Sequence, residues 1–215
     1  GGFRAADDFT VPSGGWNVNT ITFFVYQTGS TTTSTINAAN LQIWNGPPDQ
    51  PSSTVVFGDT TTNRLASTAF SNIYRVTETT LTNNQRPIMA VVVTVGTTLP
   101  AGTYWLDWQV GGTLASGPWA PAVTIAGATG KPGANGMQFN ATTWAALTDG
   151  GSLAPQDYPF IVDGAPAVAA CSTTADMPWL SLSATSGSTA GGGSSPVTVT
   201  FDSTGMSPGN YNGNL

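Results

Sequence analysis

Residues 99–110 read LPAGTYWLDWQV, a Pro/Gly turn that leads into the most aromatic strand of the sequence. Successive side chains of a strand point to opposite faces. One face then carries four apolar or aromatic side chains, those of Tyr104, Leu106, Trp108 and Val110. The other carries an indole, a carboxylate and an amide, those of Trp105, Asp107 and Gln109. We expect the first face to pack in a core and the second to point outward.

The segment before this turn is the most regular strand pattern in the chain. Residues 88–95 are mostly β-branched, and a period of two aligns Met89, Val91, Val93 and Val95. The connection 96–102 is of hairpin size, so the sequence predicts that residues 88–95 are the antiparallel partner of the aromatic strand. A tyrosine placed directly after a turn, here Tyr104, is also typical of the tyrosine corner of Greek-key sandwiches.

Other short segments between turn residues predict further strands over residues 3–11, 16–27, 41–44, 54–58, 72–81, 122–126, 137–147 and 158–162. No helical periodicity of useful length interrupts them. The series predicts an all-β fold over residues 1–163, an antiparallel β-sandwich of jelly-roll or immunoglobulin-like type.

Charge is scarce, because only 7% of the 215 residues are charged and the formal net charge is -6. Lys131 is the only lysine and the arginines are scattered, so we expect no nucleic-acid partner. The sequence contains no run of about 20 apolar residues, so we expect no membrane insertion. Residue 1 does not begin a signal sequence. The abundance of Thr, Ser, Asn and Gly favours an extracellular or cell-surface location. The single Cys171 is a small buried residue, a free thiol or half of a pair with a partner elsewhere.

The sequence lacks residues on which most enzymatic mechanisms depend. The chain has no histidine, which excludes Ser-His-Asp and Cys-His arrangements and the common zinc sites. Glu78 is the only glutamate, and nothing in its spacing to Asp59 or Asp107 singles out the carboxylate pair of a glycosidase. We therefore predict no enzymatic activity and no organic cofactor.

Any metal ion is expected to be calcium, because the sequence offers oxygen ligands and no cluster of softer ones. The candidate ligands are the carboxylates of Asp7, Asp8, Asp59 and Asp149. Asp7 and Asp8 are adjacent, so a regular strand points them to opposite faces. The alternative for these two residues is that they are solvated charges that protect a sheet edge.

Composition changes at residues 164–167, GAPA, which predict a linker before a second unit over residues 168–215. Its segments PWLSLSATSG and PVTVTF alternate so that five apolar side chains share an inward face, those of Leu180, Leu182, Val197, Val199 and Phe201. The block supplies about four strands where an immunoglobulin-like sandwich has about seven, so it is predicted to be a partial module. We expect either that the polypeptide continues past Leu215 or that another chain donates a strand.

The motifs W-L-S-x-S and P-G-x-Y-x-G of this last block resemble immunoglobulin-like modules of the BACON type, which occur as repeats in secreted bacterial proteins. The resemblance covers about the last fifth of the chain. It implies a spacer or surface module, with an association to carbohydrate-binding contexts. The preceding ADDFTVP, FGDTTTNR and LPAGTYWLDW are similar to a β-sandwich domain of large secreted proteins from environmental bacteria.

Two functions fit these observations. The first is a structural or adhesive module of a bacterial surface assembly, whose partners are copies of itself or further domains of the same polypeptide. The second is a carbohydrate-binding module, in which Trp44, Trp105 or Trp119 stacks on a sugar while Asp107 or Gln109 binds its hydroxyls. We favour the first, because most tryptophans of a sandwich lie in its core. Polysaccharide is the alternative partner.

Overall fold

The computed structural model describes residues 2–77, 79–122, 130–167, 179–184, 187–189 and 191–209, and it contains two compact units, Gly1–Val168 and Ala169–Leu215. The strands of the first unit are β1 (Phe3–Val11), β2 (Trp16–Tyr26), β3 (Ile36–Trp44), β4 (Val55–Asp59), β5 (Leu65–Tyr74), β6 (Pro87–Leu99), β7 (Gly102–Gly112), β8 (Met137–Asn140), β9 (Trp144–Ala146) and β10 (Phe160–Pro166). The part of the chain described here has no helix, and hence none that could cross a membrane.

The ten strands form two antiparallel sheets that pack against each other. The first sheet has six strands in the order β4-β3-β7-β1-β8-β9, and the second has four in the order β10-β2-β6-β5. The core lies between them and contains alternate residues of the central strands. The predicted all-β sandwich is therefore confirmed.

The aromatic strand β7 contributes the centre of this core. Leu106 and Trp108 are buried, and the Trp108 ring stacks on Phe23 of the opposite sheet at a centroid distance of 4.8 Å. On β6 of the four-stranded sheet, Met89, Val91 and Val93 are buried as their alternation predicts. The core face predicted for both strands is confirmed.

The predicted hairpin between these two strands is wrong. β6 pairs with β2 and β5, whereas β7 pairs with β1 and β3, so the turn at Pro100 carries the chain from one sheet to the other. The Tyr104 hydroxyl donates a hydrogen bond to the Pro100 carbonyl over 3.0 Å, as a tyrosine corner does. Each of the two strands therefore buries its one apolar face in the core between the sheets.

Other boundaries also differ from the predicted ones, and β3 begins at Ile36 where the sequence predicted residue 41. The strand expected at residues 72–81 is β5, which begins and ends several residues earlier. The strand expected at 137–147 is two strands, because the Asn140 side chain accepts hydrogen bonds from the Thr142 and Thr143 amides and closes a turn. The linker expected at 164–167 is wrong for its first three residues, because β10 remains paired with β2 as far as Pro166. The strand expected at 122–126 lies almost entirely outside the described residues.

The described part of the second unit contains the hairpin β11 (Leu180–Leu182) and β12 (Val199–Phe201). The predicted inward face is half-buried at Leu180, Leu182 and Val199. Phe201, which stacks on Trp179, is 70% exposed and Val197 is 51% exposed, so the inward position predicted for these two side chains is wrong. Cys171 lies outside the described residues.

Candidate ligand-binding site

The outer face of the six-stranded sheet, which points away from the four-stranded sheet, carries a cross-strand row of polar and small side chains. Gln42 of β3 lies opposite Asp107 of β7, and Asp107 lies opposite Ala6 of β1. Arg4 is two residues before Ala6 and therefore on the same face. Because Ala6 has only a methyl group, it leaves room for the Arg4 side chain to reach the Asp107 carboxylate.

Asp107 is the centre of a hydrogen-bonded network. Its Oδ1 accepts a hydrogen bond from Arg4 Nε over 2.7 Å, and its Oδ2 accepts from Arg4 Nη2 and, over 3.1 Å, from Trp44 Nε1. Arg4 Nη2 also donates to the side-chain oxygen Oε1 of Gln42. Burial raises the pKa of Asp107, and the hydrogen bonds and positive charge of Arg4 oppose that shift. The carboxylate thus fixes the guanidinium group in one orientation.

Aromatic rings surround this network. Trp105 is only 6% exposed and packs with Ala6 and Met137, and the half-buried Trp44 and Trp144 pack against that cluster. The Arg4 guanidinium lies over the Trp144 ring at 5.9 Å. The face predicted for Trp105 and Asp107 is right, but their exposure to solvent is not, because neighbouring strands contribute side chains that cover both.

A cleft remains above the network, which we call the outer cleft. Its volume is about 270 Å³, and it is lined by Arg4, Gln42, Trp44, Thr60, Phe139 and Trp144. Arg4 Nη1 and Gln42 Nε2 have no hydrogen-bond partner within the described part of the chain. The cleft therefore presents unused N–H donors on its floor between two indole walls.

The structure separates the five predicted ligand-binding residues into two groups. Trp44, Trp105 and Asp107 belong to the outer face just described. Gln109 and Trp119 line a second, larger cleft of about 470 Å³ at one end of the sandwich, which we call the end cleft. Trp119 is 46% exposed, as a ligand platform requires.

Sequence reasoning missed five residues that complete the outer cleft. They are Arg4, Gln42, Thr60, Phe139 and Trp144. The signal for Arg4 was its alternation with Ala6, a small residue on the same face of a strand. That signal is uninformative until β1 is known to lie beside β7, since only this pairing brings Arg4 to Asp107.

The four predicted calcium ligands do not form one site. Asp59 accepts hydrogen bonds from the Thr61 and Thr62 amides, and Asp149 accepts them from its own turn, so both carboxylates close local turns. Among the described residues, no three acidic or cysteine side chains are arranged to hold a metal ion.

Asp7 is not a solvated edge charge. β1 lies between β7 and β8, and Asp7 is 3% exposed on its inner face. The carboxylate accepts hydrogen bonds from the backbone amides of Tyr158 at 2.6 Å and Asp8 at 2.9 Å. Burial raises the pKa of Asp7 to about 6, although these hydrogen bonds oppose the shift. The edge alternative is wrong for this residue.

No protein-family model, curated protein or solved structure matches the chain. Any function assigned to the chain therefore rests on its own residues.

Proposed function

We propose that the first unit is a non-enzymatic glycan-binding module of a secreted or cell-surface protein, and that the outer cleft receives the sugar chain. The observation that carries this proposal is the position of Trp44 and Trp144 on either side of one fixed Arg4–Asp107–Gln42 network.

The chemistry of the outer cleft suits sugars. A pyranose ring has apolar C–H faces and a polar rim, and indole rings present an apolar surface on which such a face packs. The unused N–H groups of Arg4 and Gln42 are donors for sugar hydroxyl oxygens. Because Arg4 is already held by Asp107, these donors need no reorganisation when a ligand binds.

The spacing of the strands that carry Trp44 and Trp144 favours an oligosaccharide over a single sugar. Trp44 lies on β3 and Trp144 on β9, with β7, β1 and β8 between them. Four interstrand spacings of about 4.8 Å separate their backbones by roughly 19 Å. A glycan chain that crosses the strands can contact both rings.

The charge of the outer cleft favours a neutral glycan. Asp107 balances the positive charge of Arg4, and the whole chain carries a formal net charge of -6. A polyanionic glycan gains no unpaired cation at this cleft and is repelled by the protein at long range.

The test is binding to a panel of neutral polysaccharides, namely cellulose, xylan, mannan, starch, laminarin and chitin, followed by calorimetry on the oligosaccharides of any that are retained. Trp44→Ala and Trp144→Ala are each expected to weaken binding by about tenfold or more, as loss of an aromatic anchor does. Tyr74→Ala is the control, because it removes an exposed ring outside both clefts. Absence of binding to the whole panel, or equal affinity of all variants, overturns the proposal.

The structural or adhesive function stays a second candidate, favoured by the exposure of Phe201 and Val197 in the second unit. Apolar side chains exposed this far promote association with other copies or domains. Sedimentation velocity tests it: the wild-type chain is expected to self-associate as concentration rises, and Phe201→Ser is expected to reduce this. A chain that stays monomeric at all concentrations contradicts self-assembly.

A further inference from the structure

The end cleft lies where the two sheets separate. Its floor is formed by core side chains that include Val25, Trp108 and Tyr158, and one wall is the segment from Ala115 to Ala120. Its volume of about 470 Å³ is within the range of small-molecule sites. Apart from Arg4, the outer cleft uses none of the residues that line the end cleft.

The wall of the end cleft is held by buried hydrogen bonds. Gln27 is fully buried, and its Nε2 donates to the carbonyls of Leu114 and Ser116, each over 3.1 Å. Trp119 exchanges two backbone hydrogen bonds of 2.9 Å with Tyr26 of β2. The Trp119 indole, itself bonded to the Ser116 hydroxyl, is therefore positioned before any ligand arrives.

Polar groups around the floor have hydrogen-bonding capacity that the described residues do not use. Tyr158 is 6% exposed, and its hydroxyl makes no hydrogen bond within the described part of the chain. The same holds for the Gln138 amide and for Gln109 Oε1, whereas Gln109 Nε2 donates to the Phe3 carbonyl. Each of these groups is therefore able to form a hydrogen bond with a ligand in the end cleft.

These groups are uncharged at neutral pH. Burial raises the pKa of Tyr158, so its phenol remains a donor. The charged residue at the end cleft is Arg4, whose guanidinium is paired with Asp107. A ligand with hydroxyl groups and an apolar ring face fits this set better than an ion does.

We propose that the end cleft is a second sugar subsite, in which one neutral pyranose ring stacks on Trp119 and its hydroxyls bind Tyr158, Gln138 and Gln109. This inference rests on the proposed glycan-binding function. Arg4 lines both clefts, so they adjoin at this residue. One oligosaccharide that is long enough occupies both.

Occupation of both clefts makes affinity depend on the length of the oligosaccharide. Once one end of a chain is bound in the outer cleft, the other end meets the end cleft at a high effective concentration. We expect the dissociation constant to fall by about tenfold or more between the trisaccharide and the hexasaccharide. A protein with the outer cleft alone shows a plateau once that cleft is filled.

The experiment is calorimetry of the wild-type chain with cello-, malto-, laminari-, manno-, xylo- and chito-oligosaccharides from the disaccharide to the hexasaccharide. Trp119→Ala and Gln138→Ala are expected to bind the trisaccharide as the wild type does and to lose the gain on lengthening. Trp144→Ala is expected to weaken binding at every length. Circular dichroism and thermal melts check that each variant is folded. We expect Trp119→Ala to fold, because Trp119 is half-exposed.

The failures of the two proposals are distinguishable. If Trp119→Ala and Gln138→Ala keep the wild-type length dependence while Trp144→Ala weakens binding, the second subsite is overturned and the outer cleft stands. If the wild-type chain binds none of the oligosaccharides, both proposals are overturned.

Discussion

Strand β7 buries one tryptophan on each of its faces, and the two rings are buried by different means. Trp108 faces the opposite sheet, where it stacks on Phe23 and contacts Tyr158 edge-on. Trp105 faces away from that sheet and is covered by side chains of its own sheet and their neighbours. The inner face is closed by sheet packing, whereas the outer face is closed only in part and retains a cleft.

The two faces also bury one carboxylate each. On the outer face, Asp107 is paired with Arg4 and Trp44. On the inner face, Asp7 accepts hydrogen bonds from backbone amides and has no ion pair among the described residues. Asp107, the carboxylate with a cationic partner, thus lies on the face that a ligand can reach. Asp7, the carboxylate without one, lies in the core, where its charge lowers stability.

The largest expected effect is on the inner face. Trp108→Ala removes a ring that fills the centre of the core, so we expect the free energy of unfolding to fall by about 3–5 kcal/mol. Trp105→Ala is the matched variant, and its cost is expected to be smaller because the outer cluster is half-open. Chemical denaturation measures both. A larger loss for Trp105→Ala than for Trp108→Ala would contradict the distinction between the faces.

The second prediction concerns the outer ion pair. Asp107→Ala leaves Arg4 without its counter-charge, and we expect a loss of about 3 kcal/mol, near the low end for buried pairs because the Arg4 side chain is partly exposed. The double variant Arg4→Met with Asp107→Leu removes both charges and is expected to be more stable than Asp107→Ala alone. If the double variant is the less stable of the two, the network is not an isolated charge pair.

The third prediction concerns the inner carboxylate and pH. Asp7 has a pKa of about 6 in the folded chain against an ordinary value of 3.8, so the native state keeps a proton that the unfolded state releases. Its contribution to stability is therefore complete below the unfolded pKa of 3.8, is lost as pH rises through the folded pKa of about 6, and changes no further at higher pH. The shift of about two pKa units corresponds to a loss of roughly 2–3 kcal/mol.

Comparison with Asp7→Asn isolates this effect from the titration of other groups, including Asp8, Asp157 and Lys131, which interact with Asp7 or with its neighbours. Denaturation of both proteins across the acid range gives the difference in unfolding free energy at each pH. We expect that difference to move in favour of Asp7→Asn as pH rises. A difference that is flat with pH would show that Asp7 titrates alike in the folded and unfolded chain.

Much of the inner face could be predicted from the sequence, because alternation along β2, β6 and β7 is a local property of each strand. The pairing of β6 with β7 could not be, because a connection of a few residues suits a hairpin or a crossing between sheets equally well. The tyrosine corner at Tyr104 was the sign of a crossing, since its hydroxyl is bonded back to the turn at Pro100.

The outer face was less predictable for a related reason. Whether Trp105 and Asp107 are exposed depends on Trp44, Arg4 and Trp144, which lie on other strands and are distant in sequence. Their contribution follows from the strand order, and no local pattern carries that order. The sequence named one residue that lines the outer cleft, Trp44, and two that line the end cleft, Gln109 and Trp119, without indicating which of them share a cleft.

The smallest expected effect is that of single hydroxyl groups on the inner face. Tyr104→Phe removes the hydrogen bond to the Pro100 carbonyl, and we expect a loss of about 1 kcal/mol, the usual net worth of one such bond. Tyr158→Phe is the matched control, because the Tyr158 hydroxyl has no bond to lose within the described part of the chain, so the unliganded protein should be destabilised less. The two variants separate a hydroxyl used for folding from one that is left for a ligand. If Tyr158→Phe proves the more destabilising in denaturation experiments, its hydroxyl serves the fold, and its assignment to the end cleft is wrong.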